Sequence, residues 1–255
     1  MYLHLIGVDI KSQLQFRASL LLTTVGQFLT AFGYFFGMDF VMRKVTGLDG
    51  FTRPQVMLCF AVVMAAFSIG ELFGHGFQTF PSLIARGELD RLLIRPRAVL
   101  PQILLGNLDL TRFGLLIQAG VVLCIALPQA GILWTVSKSL CLVSMILCGG
   151  AVFFGLFLLK ASLSFFTVQE LDVFNIFTYG ARQFGRYPFS VYGEGVLHLL
   201  TWVIPLALFQ YYPMLWLFDR AGTFCALLPV VSLLFLIPCC LIYRYGLKKY
   251  QSAGS

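Results

Sequence analysis

The sequence predicts an all-α polytopic membrane protein. We read six transmembrane helices, an N-terminal amphipathic helix lying in the interface, and a short cytoplasmic coupling helix. Three observations carry this reading. The chain of 255 residues is 59% hydrophobic and 11% charged, with a mean hydropathy of +0.87, too apolar to cover a soluble protein of this length. Its apolar stretches reach the roughly 20 residues that a helix needs to cross a bilayer. Its Lys and Arg residues fall unevenly between the connections, as in membrane proteins whose cytoplasmic loops are basic.

The elements follow in chain order. Over residues 2–16, Leu3, Ile6, Ile10 and Leu14 recur at a spacing of three to four, the period of an amphipathic helix in the interface. Asp9, Lys11 and Arg17 interrupt this stretch and no small-residue cleavage site follows, so it does not read as a cleavable signal. The spans are expected at 19–41, 55–77, 103–127, 139–160, 196–212 and 223–243. The third has a polar beginning at Asn107, Asp109 and Arg112. Pro205 interrupts the fifth, and Tyr211-Tyr212-Pro213 follows it. That leaves two readings there, a kinked helix with an aromatic belt or a re-entrant turn over 211–222. Residues 161–195 hold Gln169, Glu170, Asp172, Asn175, Arg182 and Arg186 and read as a cytoplasmic interfacial segment. Tyr187-Pro188 ends any helix within it, because the residue before proline is pushed out of the helical region. The whole chain, 1–255, reads as one transmembrane domain.

With both termini in the cytoplasm, five of the 18 basic residues lie outside: Arg43, Lys44, Arg53, Lys138 and Arg220. The opposite orientation would place the larger set outside, so both termini are expected in the cytoplasm. Three of those five crowd the first outer loop and are the weak point of the assignment. The formal net charge of +7 belongs to these loops rather than to a nucleic-acid surface, which would need a basic face on a soluble fold.

Soluble-enzyme chemistry finds no footing. The seven cysteines lie in apolar runs and none forms a Cys-x-x-Cys pair. His4, His75 and His198 sit in different segments, so no metal site is expected. The sequence has no Gly-x-x-x-x-Gly-Lys-Ser/Thr phosphate loop, no His-Glu-x-x-His and no Gly-x-Ser-x-Gly. Two groups remain. Glu71 and His75, four apart near one end of the second span, share a helix face. They read either as part of a polar pathway or proton relay, or as a pair at the water boundary. Gly70 and Gly74, like Gly33 and Gly37, have the spacing of close helix packing.

The second group is Gly87-Glu88-Leu89-Asp90-Arg91-Leu92-Leu93-Ile94-Arg95-Pro96, a charged block between two long apolar stretches. Residues 82–95, bounded by Pro81 and Pro96, can form a short helix. It reads either as a coupling helix pressed into a groove on an ATPase or as an ordinary positive-inside loop.

Here the residues resemble a known family. The block is similar to the Gly-x-Leu-Asp-x-Leu-Leu-x-Arg-Pro signature of bacterial ATP-binding-cassette (ABC) permeases of the type-2 exporter class. Gln15-Phe16-Arg17-Ala18 resembles the approach to that family's first span, with Phe16 where tyrosine is usual. Arg186-Tyr187-Pro188-Phe189-Ser190, Ile204-Pro205-Leu206-Ala207 with Tyr211-Tyr212-Pro213, and the tail from Gly246 to Ser255 resemble its fifth-span region and its ending. The resemblance implies the membrane-spanning subunit of an exporter in the bacterial inner membrane, forming the substrate pathway by alternating access. It would be no enzyme itself, having no nucleotide site. ATP and magnesium would sit on two partner ATPase subunits, which would contact Glu88, Leu89, Asp90, Arg91 and Leu92. A second permease copy, or a related permease, would complete the transporter. Two other readings stand beside it: a proton-coupled secondary transporter using Glu71 and His75, and a membrane anchor that transports nothing.

Overall fold

The computed structural model describes residues 2–44, 48–94, 98–105, 107–167 and 174–250. Among them the regular structure is helical, apart from one antiparallel bridge between Leu48 and Phe51. The helices are α1 (Tyr2–Gln15), α2 (Arg17–Lys44), α3 (Arg53–Gly74), α4 (Phe80–Ala85), α5 (Glu88–Leu93), α6 (Val99–Leu105) and α7 (Phe113–Gln129). They continue with α8 (Val136–Thr167), α9 (Ala181–Phe184), α10 (Glu194–Trp202), α11 (Leu206–Phe209), α12 (Tyr211–Leu217), α13 (Leu228–Ser232) and α14 (Leu236–Lys249). Five helical stretches are long and apolar enough to cross a membrane: Arg17–Lys44, Arg53–Ile84, Leu110–Gln129, Val136–Thr167 and Thr223–Lys249. Glu194–Trp202 and Leu206–Leu217 make a sixth if that bent pair counts as one span.

α3 is the central post. Its apolar window is 83% buried, against 11% for α2. Pro54 lies in its first turn, and the Gln55 side chain accepts from the Thr52 N–H at 3.0 Å, satisfying one of the free donors at the helix start. α3 packs against α7 on one side and α8 on the other. The α8 contact is close because Gly70 faces it. A Cβ there would come within 2.6 Å of Phe153 Cβ and 2.8 Å of the Gly150 carbonyl oxygen. The second small-residue spacing behaves differently, since a Cβ at Gly33 or Gly37 meets nothing within 4 Å. Phe67, Phe153, Phe157 and Phe209 fill the core on the α8 side. Phe35, Phe60, Met145 and Met214 fill it toward the end where α3 begins.

At that end the expected outside basic residues are held by protein partners. Asp39, buried in α2, pairs with Arg43 and Arg53. Lys138 Nζ reaches Asp219 at 2.8 Å and the Leu217 carbonyl at 3.1 Å. Lys44 and Arg220 lie over the rings of Phe40 and Phe51. The three in the first outer loop, Arg43, Lys44 and Arg53, are thus held by Asp39 and Phe40 of the same region.

Four sequence expectations need correction. The third span starts at Leu110, not 103. Residues 99–105 form the separate α6, and the chain breaks where the Asp109 side chain accepts from the Thr111 N–H at 3.0 Å. The 82–95 helix is two short helices, α4 and α5, because Gly87 takes the left-handed conformation at φ +65°, which glycine adopts without steric cost. The fifth span turns by 86° between Trp202 and Leu206, where Pro205 cannot continue the hydrogen-bond ladder. The sharp turn is thus at 203–205, and most of the 211–222 stretch is the helix α12. α8 runs past the expected end at 160 to Thr167, with Lys160 Nζ donating to Asn175 Oδ1 at 2.9 Å.

Part of the polar region after α8 packs against α3. Tyr179 reaches Glu71, Gly185 packs on Val63, and Arg186 lies over the rings of Tyr34 and Phe60. From Glu71 back to Phe60 is about 16 Å along α3 at 1.5 Å per residue. The segment from Ile176 to Arg186 therefore runs alongside α3. Its helix ends at Phe184, just before Tyr187-Pro188. Gln169, Glu170 and Asp172, the signature's Arg95 and Pro96, and the tail beyond Tyr250 lie outside the described residues.

Replacing Gly70 by Ala is expected to cost about 1–3 kcal/mol, the range for overpacking a close contact. Gly33→Ala is expected to be neutral or to gain up to about 1 kcal/mol from helix propensity. Thermal and denaturant unfolding of the chain in mild detergent checks both.

Candidate functional site

The site is organised by one carboxylate. Glu71, near the end of α3, is fully buried. A lone carboxylate in such surroundings is strongly disfavoured, so partners must come to it. The Tyr179 hydroxyl donates to Glu71 Oε1 at 2.8 Å. Gln78 Nε2 donates to the same oxygen at 3.3 Å and to the Tyr179 oxygen at 2.6 Å. Arg112 Nη1 lies 3.3 Å from Glu71 Oε2 and supplies the counter-charge.

Arg112 is shared. Its Nε sits 2.8 Å from Asp109 Oδ2, one turn earlier. Asp109 is fixed by the local turn that opens α7, and the loop before it is fixed by α1. Asp9 Oδ2 accepts from the Leu108 N–H at 3.0 Å, Gln13 Oε1 accepts from the Leu110 N–H at 3.2 Å, and Gln13 Nε2 donates to the Leu108 carbonyl. From α2, Gln27 Nε2 donates to Thr111 Oγ1 at 2.8 Å. A polar chain thus runs from the N-terminal helix through the 107–112 turn to the middle of the bundle.

Glu71 and His75 are not partners of one another. Glu71 takes Arg112, Tyr179 and Gln78, whereas His75 Nδ1 approaches Asp109 Oδ2 at 3.7 Å. Their shared helix face does not make them a pair, because each finds a different group from the 107–112 turn. Of the other members, Asp109 and Arg112 stood out in the sequence as the polar beginning of a span. Tyr179 and Arg182 carried no local signal. The need of an intramembrane carboxylate for a cation was the one available clue.

Arg182 stacks over Phe67 at 4.6 Å and Tyr179 at 5.8 Å, contacts that stabilise a desolvated guanidinium by about 2 kcal/mol or more. Beside it, α2, α3 and α7 leave a cavity of about 420 Å³ that Arg112 and Arg182 both line.

The second expected site is α5. Leu89 is fully buried in the core shared with Phe80, Phe157 and Tyr243. It anchors the helix in its own chain and is removed from the set of contact residues. Glu88 and Leu92 are half-buried and Arg91 is exposed. Arg86 lies 3.9 Å from Glu88. Leu93 and Ile94, the latter passed over in sequence reasoning, are 40% and 83% exposed. Two apolar side chains at the tip of a charged helix suit a protein groove better than water.

The sequence model of the ABC-2 family transporter proteins matches residues 28–254. No curated protein matches the chain, and no solved structure does.

Removing one partner from the buried pair should be costly and asymmetric. Arg112→Met is expected to destabilise by about 3–5 kcal/mol, because it strands a buried carboxylate. Glu71→Gln should cost less, since Gln can still accept from Tyr179, and the double variant should recover part of the Arg112→Met loss. Unfolding of the three variants in detergent, read as a double-mutant cycle, checks this.

Proposed function

Because the chain belongs to the ABC-2 transporter family, and so is a permease subunit of an ABC transporter, we propose that it forms the substrate pathway of an exporter by alternating access. Two ATPase subunits would carry ATP and magnesium. A second permease, identical or related, would complete the pathway, in a bacterial inner membrane with both termini of this chain in the cytoplasm.

The observation that carries the reading is the build of α4 and α5. α4 continues the apolar stretch of the second span and α5 follows it, anchored by Leu89 and tipped by Arg91, Leu93 and Ile94. Glu88, Asp90, Arg91 and Leu92, with Ile94 added, are the contact we assign to the ATPase. Force on α5 has a route inward. Phe80 and Ile84 of α4 are buried in the same core as Leu89, and Phe80 meets the rings of Phe165 on α8 and Tyr243 on α14. ATPase closure would shift this packing between two arrangements. Substrate would move only if the two arrangements bind it differently.

A photo-crosslinking residue at Ile94 is expected to capture an ATPase that has a phosphate-binding loop, whereas the same residue at exposed Leu234 of the last span is expected to capture none. Reversing Glu88, Asp90 and Arg91 together should abolish transport-coupled ATP hydrolysis while the chain still folds. Intact coupling in that variant would remove α5 from the ATPase contact.

A further inference from the structure

We propose that the cavity beside Arg112 and Arg182 binds an amphipathic anion, a phosphate or carboxylate head on an apolar body. The inference rests on the permease reading and names the substrate class of its pathway.

The argument begins with charge. Arg112 and Arg182 line the cavity and Arg186 stacks on its Tyr34, while the nearby carboxylates Glu71 and Asp109 both pair with Arg112. Among the described residues Arg182 and Arg186 form no ion pair and rest on aromatic faces, Arg186 at 4.2 Å from the Tyr34 ring centroid. Buried nitrogens are left without a hydrogen-bond acceptor: Arg182 Nε, Arg186 Nε and Arg186 Nη2. Aromatic faces attract a cation but accept no directed hydrogen bonds comparable to those of an oxyanion. The structure therefore keeps positive charge and unused donors at membrane depth, where ionisable groups are retained for function.

The cavity supplies the rest of a site. Its volume of about 420 Å³ falls in the range of small-molecule pockets, roughly 300–1,000 Å³. Thr23, Gln27, Thr30 and Tyr34 of α2 line it with polar groups, and Met64 and Leu115 give it an apolar wall. Gln27 Oε1 is buried and lacks a donor. A head engaging Arg182 and a tail lying on Met64 and Leu115 would use both features. A cationic amphiphile would meet the surplus positive charge and be excluded.

The test is equilibrium binding of radiolabelled dodecyl phosphate to the full chain in an uncharged detergent, without ATPase. A failure here leaves the ATPase cross-link at Ile94 untouched, so the two readings fall separately. Arg182→Gln is expected to weaken binding about tenfold or more, the loss expected for a charge-assisted hydrogen bond, while Arg182→Lys retains most of it. Thr30→Phe, which fills the cavity and keeps all three arginines, should weaken binding similarly even if Arg182→Gln fails to fold. Unlabelled dodecyl phosphate should displace the probe, and dodecyltrimethylammonium and inorganic phosphate should not at the same concentration. Unchanged binding in Thr30→Phe would overturn the proposal, and so would equal displacement by the cation. Displacement by inorganic phosphate as effective as by dodecyl phosphate would overturn the amphipathic requirement.

Discussion

The structure depends on neutralising Glu71. A carboxylate with no exposed surface on the most buried helix of a membrane bundle is stable only with a cation and donors supplied from elsewhere. Arg112 from the start of α7 and Tyr179 from the segment after α8 supply them. This requirement brings together parts of the chain separated by up to 108 residues. It also explains why a segment as polar as 176–186 packs against α3: its tyrosine completes the carboxylate's shell, and its arginines find aromatic faces there.

The same interaction ties the N-terminal helix to the bundle interior. α1 grips the backbone of the 107–110 loop, the loop presents Asp109, Asp109 orients Arg112, and Arg112 reaches Glu71. A movement of α1 therefore has a physical path to the polar centre. α5 has a separate path through Leu89 and Phe80 into the aromatic core. Both paths end at α3, and an energy change along either can bias the packing of the spans that surround it.

Much of the architecture was legible because apolar run length is a local property. The runs read as the first, second, fourth and sixth spans each lie inside a longer helical stretch, and residues 2–15 are helical. The misses share a cause: they depend on partners or on backbone geometry that composition does not encode. A helix over 82–95 was reasonable until Gly87 took a positive φ. The 86° turn at 203–205 was signalled by Pro205, but proline kinks and proline breaks look alike in sequence. Arg182 and Arg186 read as surface residues because their stabilising neighbours, Phe67, Phe60 and Tyr34, lie more than 100 positions away. Of the two readings open for Glu71 and His75, the pair does not form, since spacing reveals a shared face and not a partner.

The central claim is that this chain is the membrane half of a machine powered by another protein. The most direct measurement is purification of the tagged full chain in mild detergent from its native locus, with co-purifying proteins identified by mass. The account predicts an ATPase carrying a phosphate-binding loop at a ratio near one per permease chain. A chain that purifies alone, with no ATPase even after cross-linking, would contradict it.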